Sequence, residues 1–289
     1  MAKPTFRANP IQIHVPATSA NLGPGFDSLG LALGLHDRYI AQITDEAKID
    51  IDIVGEGADT LRRDEKNLLI KAMYAGFDFM GGKPRGLSVR ALNVIPHGRG
   101  LGSSAGAIVG GLVLSRALVL SGDERMVDEE LLNIAWQEDR HGHVMARAVA
   151  LSVDPRIKVL AFIPTHSVAT AKARRLLPET IPHSEAVANS TRSALLVHAL
   201  THRPDLLFAA TEDFLHQKYR QEVMPKSFAL VTKLRNAGVA AFISGAGPTV
   251  LVLHTGDAKE VAELSRVGGE QFAVQELLVS ATGATAVSA

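Results

Sequence analysis

The sequence predicts an α+β protein of one large domain or two, and three observations predict it. Apolar and polar residues alternate at Ile11, Ile13 and Val15 and again through Ile49-Asp50-Ile51-Asp52-Ile53, as in strands with one buried face. Later, strand-like and helix-like stretches take turns instead of segregating. A length of 289 residues exceeds what one small core accommodates.

Taken in order, the strand at 11–15 gives way to Pro16-Ala17-Thr18-Ser19-Ala20-Asn21-Leu22-Gly23-Pro24-Gly25-Phe26-Asp27, a loop dense in turn formers and small hydroxyls. Strands follow at 49–53 and 87–94. A helix over 67–80 turns Leu68, Ile70, Ala72 and Phe77 inward, with Asn67 suited to its N-cap. Next comes Pro96-His97-Gly98-Arg99-Gly100-Leu101-Gly102-Ser103-Ser104-Ala105-Gly106, leading into a helix over 105–120 that is apolar almost all round and therefore buried. A helix with an acidic start covers 128–136. In the second half, 157–164 is a continuous apolar strand and 170–177 a basic helix closed by Pro178 and Pro182. A helix through 194–200 precedes another that opens at Pro204, a good first helical position, and carries Leu206, Leu207, Phe208, Phe214 and Leu215 inward. A helix at 228–236, a strand at 239–243, the turn Ser244-Gly245-Ala246-Gly247-Pro248, a strand at 250–253, a helix at 258–266 and a strand at 272–279 complete the pattern. The tail after Ser280 is low in complexity. The domain boundary is expected within 144–154, giving domains 1–150 and 151–289.

Composition narrows the function. The 30 basic and 30 acidic residues cancel, so nothing electrostatic points to nucleic acid or to an anionic membrane. The absence of cysteine excludes disulfides, thiolate catalysis and cysteine-ligated zinc. Met1-Ala2-Lys3-Pro4 shows no signal-peptide core, and the helix after Gly102, interrupted by Gly110, Gly111, Ser115 and Arg116, is short for a membrane span. A cytoplasmic protein is the expectation. None of the 11 histidines shows metal-ligand spacing; His97 sits in the glycine loop, and His141 and His143 in a polar turn.

The glycine loop carries the chemistry. Glycines at 98, 100 and 102 let the backbone approach a ligand and turn its amides inward. An anion placed there meets free N–H groups and the positive end of a helix. The loop reads as a phosphate cradle, or more plainly as a glycine-rich entry to a core helix; it is not a Walker A loop, since no Gly-Lys-Ser/Thr follows.

Three stretches, 16–27, 96–106 and 244–249, together resemble the signature motifs of the GHMP small-molecule kinases, in the same order. Thr170-Ala171-Lys172-Ala173-Arg174-Arg175-Leu176-Leu177-Pro178 and the segment 210–220 ending at Arg220 are similar to the branch acting on homoserine, and the resemblance runs from about Ile11 to Val279. It implies an N-terminal ATP-binding domain, a C-terminal ferredoxin-like α/β domain, mixed and antiparallel sheets, and a cleft between the two. It places the ATP phosphates along Pro96, Gly98, Arg99, Gly100, Leu101, Gly102, Ser103, Ser104, Ala105 and Gly106, the adenine near Asn67, and Mg²⁺ on the Ser104 hydroxyl, with phosphates and waters supplying most other oxygens. It sets Arg174 and Arg220 on the carboxylate of L-homoserine, where a guanidinium can grip bidentately. Asp27 would accept from the ammonium, and Asn21 would hold ammonium or hydroxyl through either end of its amide. Thr170 would share the helical face of Arg174, and Gly245 and Gly247 would let the Ser244 turn approach the pocket. The implied reaction is in-line transfer of the γ-phosphoryl group to the side-chain hydroxyl, giving O-phospho-L-homoserine for threonine biosynthesis, in a homodimer.

One family element is absent. Glu-Gly-His-Pro-Asp-Asn with a following Gly-Gly strand should succeed the helix ending near Trp136, yet Trp136-Gln137 runs into Glu138-Asp139-Arg140-His141-Gly142-His143-Val144. On the order of twenty to thirty residues are missing near Gln137–Glu138, more than a short connection, either as a disordered stretch left out of the sequence or as a true deletion. The resemblance assigns that element an acidic Mg²⁺ ligand and an Asp-Asn pair at the reaction centre. The alternatives to a homoserine-phosphorylating enzyme are therefore a GHMP kinase for another small alcohol, or a non-catalytic ligand-binding relative.

Overall fold

Pro16 bends the first strand without ending it. The computed structural model describes residues 2–138 and 147–287. In it β1 (Ile11–Asn21) continues through the proline, and its antiparallel pairing with β2 (Gly25–Thr44) shifts register at Pro16/Ala17 and again at Ala20/Asn21. A residue without an N–H is tolerated at such a bulge, so most of the expected loop at 16–27 is irregular strand. β3 (Ile49–Gly55) pairs parallel with β4 (Gly86–Asn93), the connection passing through α1 (Leu68–Phe79), which Asn67 caps by accepting from the Leu69 N–H. α2 (Ser103–Leu118) starts two residues earlier than expected. Gly111 of α2 lies against the Leu69 carbonyl and Ala72 of α1, so the two helices meet backbone to backbone where a side chain would hold them apart. Two further helices follow, α3 (Gly122–Arg125) and α4 (Asp128–Glu138). Ile13, Val15 and Tyr39 of the sheet enclose the first core with Ile70, Met73 and Phe77 of α1 and Ile108 and Leu112 of α2.

The second half begins with β5 (Lys158–Pro164), α5 (Thr170–Arg175), α6 (His183–Thr201) and α7 (Leu207–Ala210). It continues with α8 (Pro225–Asn236), β6 (Ala241–Ile243), β7 (Val250–His254), α9 (Ala258–Ser265) and β8 (Phe272–Leu278). The strands form an antiparallel sheet in the order β6-β7-β5-β8, which with its helices is the β-α-β-β-α-β ferredoxin-like arrangement. Two expectations fail here. α6 starts at His183, well before 194, because its first half is amphipathic only weakly and is held instead by Asn189, which donates to the Pro24 carbonyl over 2.7 Å. The helix expected from Pro204 through Leu215 stops at Ala210: the opening turn is 3₁₀, Phe208 is exposed, and Asp213 caps a new turn by accepting from the amides of Leu215, His216 and Gln217.

The chain then returns to the first sheet. β9 (Thr285–Val287), inside the low-complexity tail, pairs with β1 and completes the order β3-β4-β2-β1-β9, a mixed sheet. Ala17, Leu22, Leu33 and Leu101 of the first half share one buried cluster with Val159, Phe242 and Leu251 of the second, so the two sheets are joined through a common core. The motifs at 16–27, 96–106 and 244–249 sit where that core reaches the surface. His141, His143 and 144–146 of the expected boundary lie outside the described residues.

Candidate active site

The three motifs converge because each holds the others by backbone bonds. Thr18 N–H donates to Leu101 O (3.0 Å), Gly245 N–H to Ala20 O (3.0 Å) and Thr249 N–H to Arg99 O (3.2 Å). Ser244, fully buried, donates its hydroxyl to Gly100 O at 2.6 Å and lies 2.9 Å from Ser19 Oγ. A Cβ on Gly100 would strike the Ser244 carbonyl, and one on Gly102 the Thr18 hydroxyl; both glycines also have left-handed φ, +77° and +76°. Gly100→Ala is therefore expected to lower the melting temperature and to weaken ADP binding by at least about tenfold, through left-handed strain and displacement of the Ser244 turn. Thermal unfolding and calorimetric titration with ADP read both; unchanged ADP affinity would mean that the cradle does not depend on this packing.

Two cavities open on either side of the loop. One, of about 360 Å³, is walled by Tyr39, Ile51, Ile53, Leu68, Leu69 and Ala91 with Arg62, Lys66, Asn67, Asn93 and His97 at polar positions. The other, of about 210 Å³, is lined by Thr18, Asn21, Phe26, Asp27, Thr170, Arg174, Arg220, Gly245 and Ala246. Gly98, Ser103 and Ser104 belong to both. Gly102, in the left-handed region, is the N-cap of α2 and supplies no side-chain cap, so the first-turn amides point at the junction with no internal acceptor. A larger cavity of about 510 Å³ lies across the second half beside Phe208, Leu253 and Leu264 and touches none of the three motifs.

The structure sorts the predicted residues. Gly98, Gly100, Gly102, Ser103, Ser104 and Ala105 line the junction, whereas Pro96, Arg99, Leu101 and Gly106 line neither cavity. Leu101 is fully buried, and the Gly106 N–H is engaged by Gly102 O at 2.7 Å. Arg99 reaches into the second half, donating to Pro164 O (3.0 Å) and Thr165 O (2.7 Å) and to His97 O (3.1 Å), so it ties the halves together. Asn67 lines the first cavity while capping α1. Gly247 lies away from the second cavity, against the Met224 thioether. Asn21 has both amide ends engaged, Nδ2 on Gly245 O (2.9 Å) and Oδ1 under the Asp27 N–H (3.0 Å). Asn21, Leu22 and Asp27 all have positive φ, strain that these bonds and the burial of Leu22 hold in place.

The second cavity is electrostatically unusual at one residue. Arg220 is 3% exposed, and its Nε and Nη1 donate to Ala173 O, His216 Nδ1 and Gly245 O at 3.3, 3.1 and 3.0 Å. Its Nη2 has no hydrogen-bond partner, and no carboxylate lies within 4.0 Å of it, among the described residues. Burial holds its pKa below the usual arginine range, against the pull of Asp213 and Asp27. A guanidinium without a direct counter-ion in such a place calls for an incoming carboxylate. Asp27 and Arg174, 3.5 Å apart and both about half exposed, form the rim opposite.

Some contributors escape sequence reasoning. Asp37, buried, accepts from the Val94 and Ile95 amides (2.7 and 2.9 Å) and so fixes the exit of β4 into the glycine loop; burial pushes its carboxyl up despite those bonds. Asn93 is 5% exposed, walls the first cavity, and has an Oδ1 without a hydrogen-bond partner. An asparagine ending a half-buried strand was the only signal. A Mg²⁺ ion that arrives on phosphates needs few protein oxygens. Ser104 offers a hydroxyl at the junction, but no group of three or more His, Asp or Glu side chains among the described residues is placed to hold a metal ion.

An amide-lined junction with a largely apolar cavity on one side and an unpaired buried cation on the other has the layout of a phosphotransferase cleft. Residues 67–151 match the model of the GHMP kinases N terminal domain, and residues 193–268 that of the GHMP kinases C terminal domain. A homoserine kinase of Streptomyces avermitilis is 47% identical, covering 99% of this chain and 98% of its own, and one of Rhodococcus opacus is 42% identical over 85% and 87%. The crystal structure of homoserine kinase from Cytophaga hutchinsonii superposes with a TM-score of 0.83 at 23% identity, covering 99% of this chain and all of that one, and shows the same fold. The chain belongs to the GHMP kinase family, and within it to the homoserine kinases. The alignment to the Streptomyces relative spans 302 positions, more than the 289 residues here, so that relative has positions this chain lacks.

Proposed function

We propose that this chain transfers the γ-phosphoryl group of ATP to the side-chain hydroxyl of L-homoserine, giving O-phospho-L-homoserine. The observation that carries the reading is the pair of cavities sharing Gly98, Ser103 and Ser104. The nucleoside occupies the larger one, with its base against the apolar wall of Leu68, Leu69 and Ala91. The phosphates lie across the first-turn amides of α2, and homoserine sits in the smaller cavity with its carboxylate on Arg220 and Arg174 and its ammonium toward Asp27. The hydroxyl then faces the terminal phosphate across the junction, an arrangement for in-line displacement in which positioning and charge do the work. Asn21 acts by holding the Asp27 backbone to the Ser244 turn.

Mg²⁺, implied by the family, would enter with the nucleotide, with Ser104 as the protein oxygen nearest its phosphates; among the described residues Asp27 is the carboxylate that lines these cavities. The homodimer and the cytoplasmic setting are parts of the same proposal; sedimentation reads the first. Among the described residues no helix is long and apolar enough to cross a membrane. The division into 1–150 and 151–289 is proposed as the nucleotide-binding and amino-acid-binding halves. Coupled ADP release with and without homoserine tests the assignment. Homoserine-dependent release is expected. Release with another small alcohol alone would reassign the substrate, and ligand binding without any release would make the chain a non-catalytic relative.

A further inference from the structure

We infer that His216 is a positioning residue for amino-acid recognition: its imidazole fixes the Arg220 guanidinium so that the unpartnered Nη2 end faces the substrate carboxylate. This deepens the proposed function and rests on its reading of the smaller cavity as the amino-acid side of the cleft. Arg220 follows His216 by four residues, and its Nη1 lies 3.1 Å from His216 Nδ1. A guanidinium has no lone pair to give, so Nδ1 is the acceptor. At the far side of the ring Nε2 lies 2.9 Å from the Gly23 carbonyl, which can only accept, so Nε2 carries the hydrogen. The two partners permit a single tautomer, neutral with hydrogen on Nε2.

The ring has little freedom to do otherwise. It is completely buried and stacks on Phe26 at 5.1 Å with planes 30° apart, while the Arg220 guanidinium lies 5.6 Å over the same Phe26 ring. The Asp213 carboxylate fixes the backbone from which the ring projects, accepting from the His216 amide at 3.1 Å and the Gln217 amide at 2.8 Å. The charged groups facing the ring are Asp213, 3.5 Å from Nε2, together with Arg220 and, further off, Asp27. Burial holds the pKa of the ring below the usual histidine value, against the pull of Asp213, which keeps Nδ1 available as an acceptor. Arg220 Nη1 is thus clamped between His216 and Gly245 O, Nε is held by Ala173 O, and Nη2 is left for the ligand.

The test compares calorimetric affinities for L-homoserine and for 3-aminopropan-1-ol, the same skeleton without its carboxylate, in the wild-type chain, His216→Leu and His216→Asn. The Leu variant is expected to bind homoserine about tenfold more weakly and 3-aminopropan-1-ol within about twofold of wild type, since only the carboxylate contact depends on the clamp. The Asn variant, whose Oδ1 can stand where Nδ1 stood, is expected to recover most of the loss. Equal weakening of both ligands, or of neither, overturns the inference. Ring-nitrogen NMR of the wild-type chain decides it independently, even if the Leu variant fails to fold: the neutral Nε2–H form is expected, and an Nδ1–H or doubly protonated ring at neutral pH overturns it. A wild-type chain that binds no homoserine overturns the proposed function, and the nitrogen spectrum then still judges the ring on its own.

Discussion

Arg220→Lys is expected to raise the KM for homoserine by at least about thirty-fold while leaving nucleotide affinity within about twofold. Charge is conserved in this substitution, so the effect isolates geometry. The guanidinium reaches Ala173 O, His216 Nδ1 and Gly245 O through Nε and Nη1 and still presents Nη2 to the cavity. An ammonium is a point donor on a shorter reach, and it cannot hold those three acceptors and also donate to a carboxylate. Loss of a buried charge-assisted contact is worth about 2–5 kcal/mol, and a lysine that retains the charge belongs at the lower end of that span. Nucleotide affinity stays because the first-turn amides of α2 do not touch Arg220. Calorimetry with homoserine and, separately, with ADP measures both. An unchanged homoserine affinity would show that no carboxylate meets this residue and would favour another small alcohol as substrate.

How far such a residue can be seen in a sequence depends on what signal it leaves. The glycine loop was legible because alternate glycines before a buried helix have few other physical uses, and Gly100 and Gly102 do stand where a side chain would collide with backbone or hydroxyl. Arg220 was not legible by itself: an arginine in a mixed segment is ordinarily solvated, and only the family resemblance turned it inward. His216 stands four residues before it in the segment 210–220, but that spacing has meaning only once the segment is known to turn helically, and the break of α7 at Ala210 hides that. β2 left no usable alternation, since glycines, charges and a bulge interrupt its twenty residues. β9 left none either; its three small or β-branched residues form a strand only because the edge of β1 is there to pair with. The loop residue Arg99 stands along the expected phosphate path by resemblance alone, and its side chain is engaged by backbone carbonyls of the second half.

Inserting at the Gln137–Glu138 junction a segment that carries the absent Glu-Gly-His-Pro-Asp-Asn element and its Gly-Gly strand is expected to raise kcat by about 10²–10³-fold and to leave ADP affinity within a few-fold of the chain without it. The asymmetry follows from how the site is divided. In the proposed reading the nucleotide meets the glycine loop, the first turn of α2 and the cavity around Asn67 and Asn93. The amino acid in that reading meets Arg220, Arg174, Asp27 and Thr170, which line the smaller cavity. Among the described residues no carboxylate lines the junction except Asp27, which is turned to Arg174 in the smaller cavity. In that arrangement both ligands can bind, whereas charge building on the transferring group meets the first-turn amides and the hydroxyls of Ser103 and Ser104. A missing electrostatic clamp of that kind is worth about 3–4 kcal/mol in the transition state and little in the ground state, so it falls on kcat. Steady-state kinetics of the chain with and without the inserted segment, with ADP titrations of each, measure the two effects apart. Equal turnover in both chains would mean that the amides of α2 and Ser104 suffice by themselves, and that the absent element has no part in the chemistry.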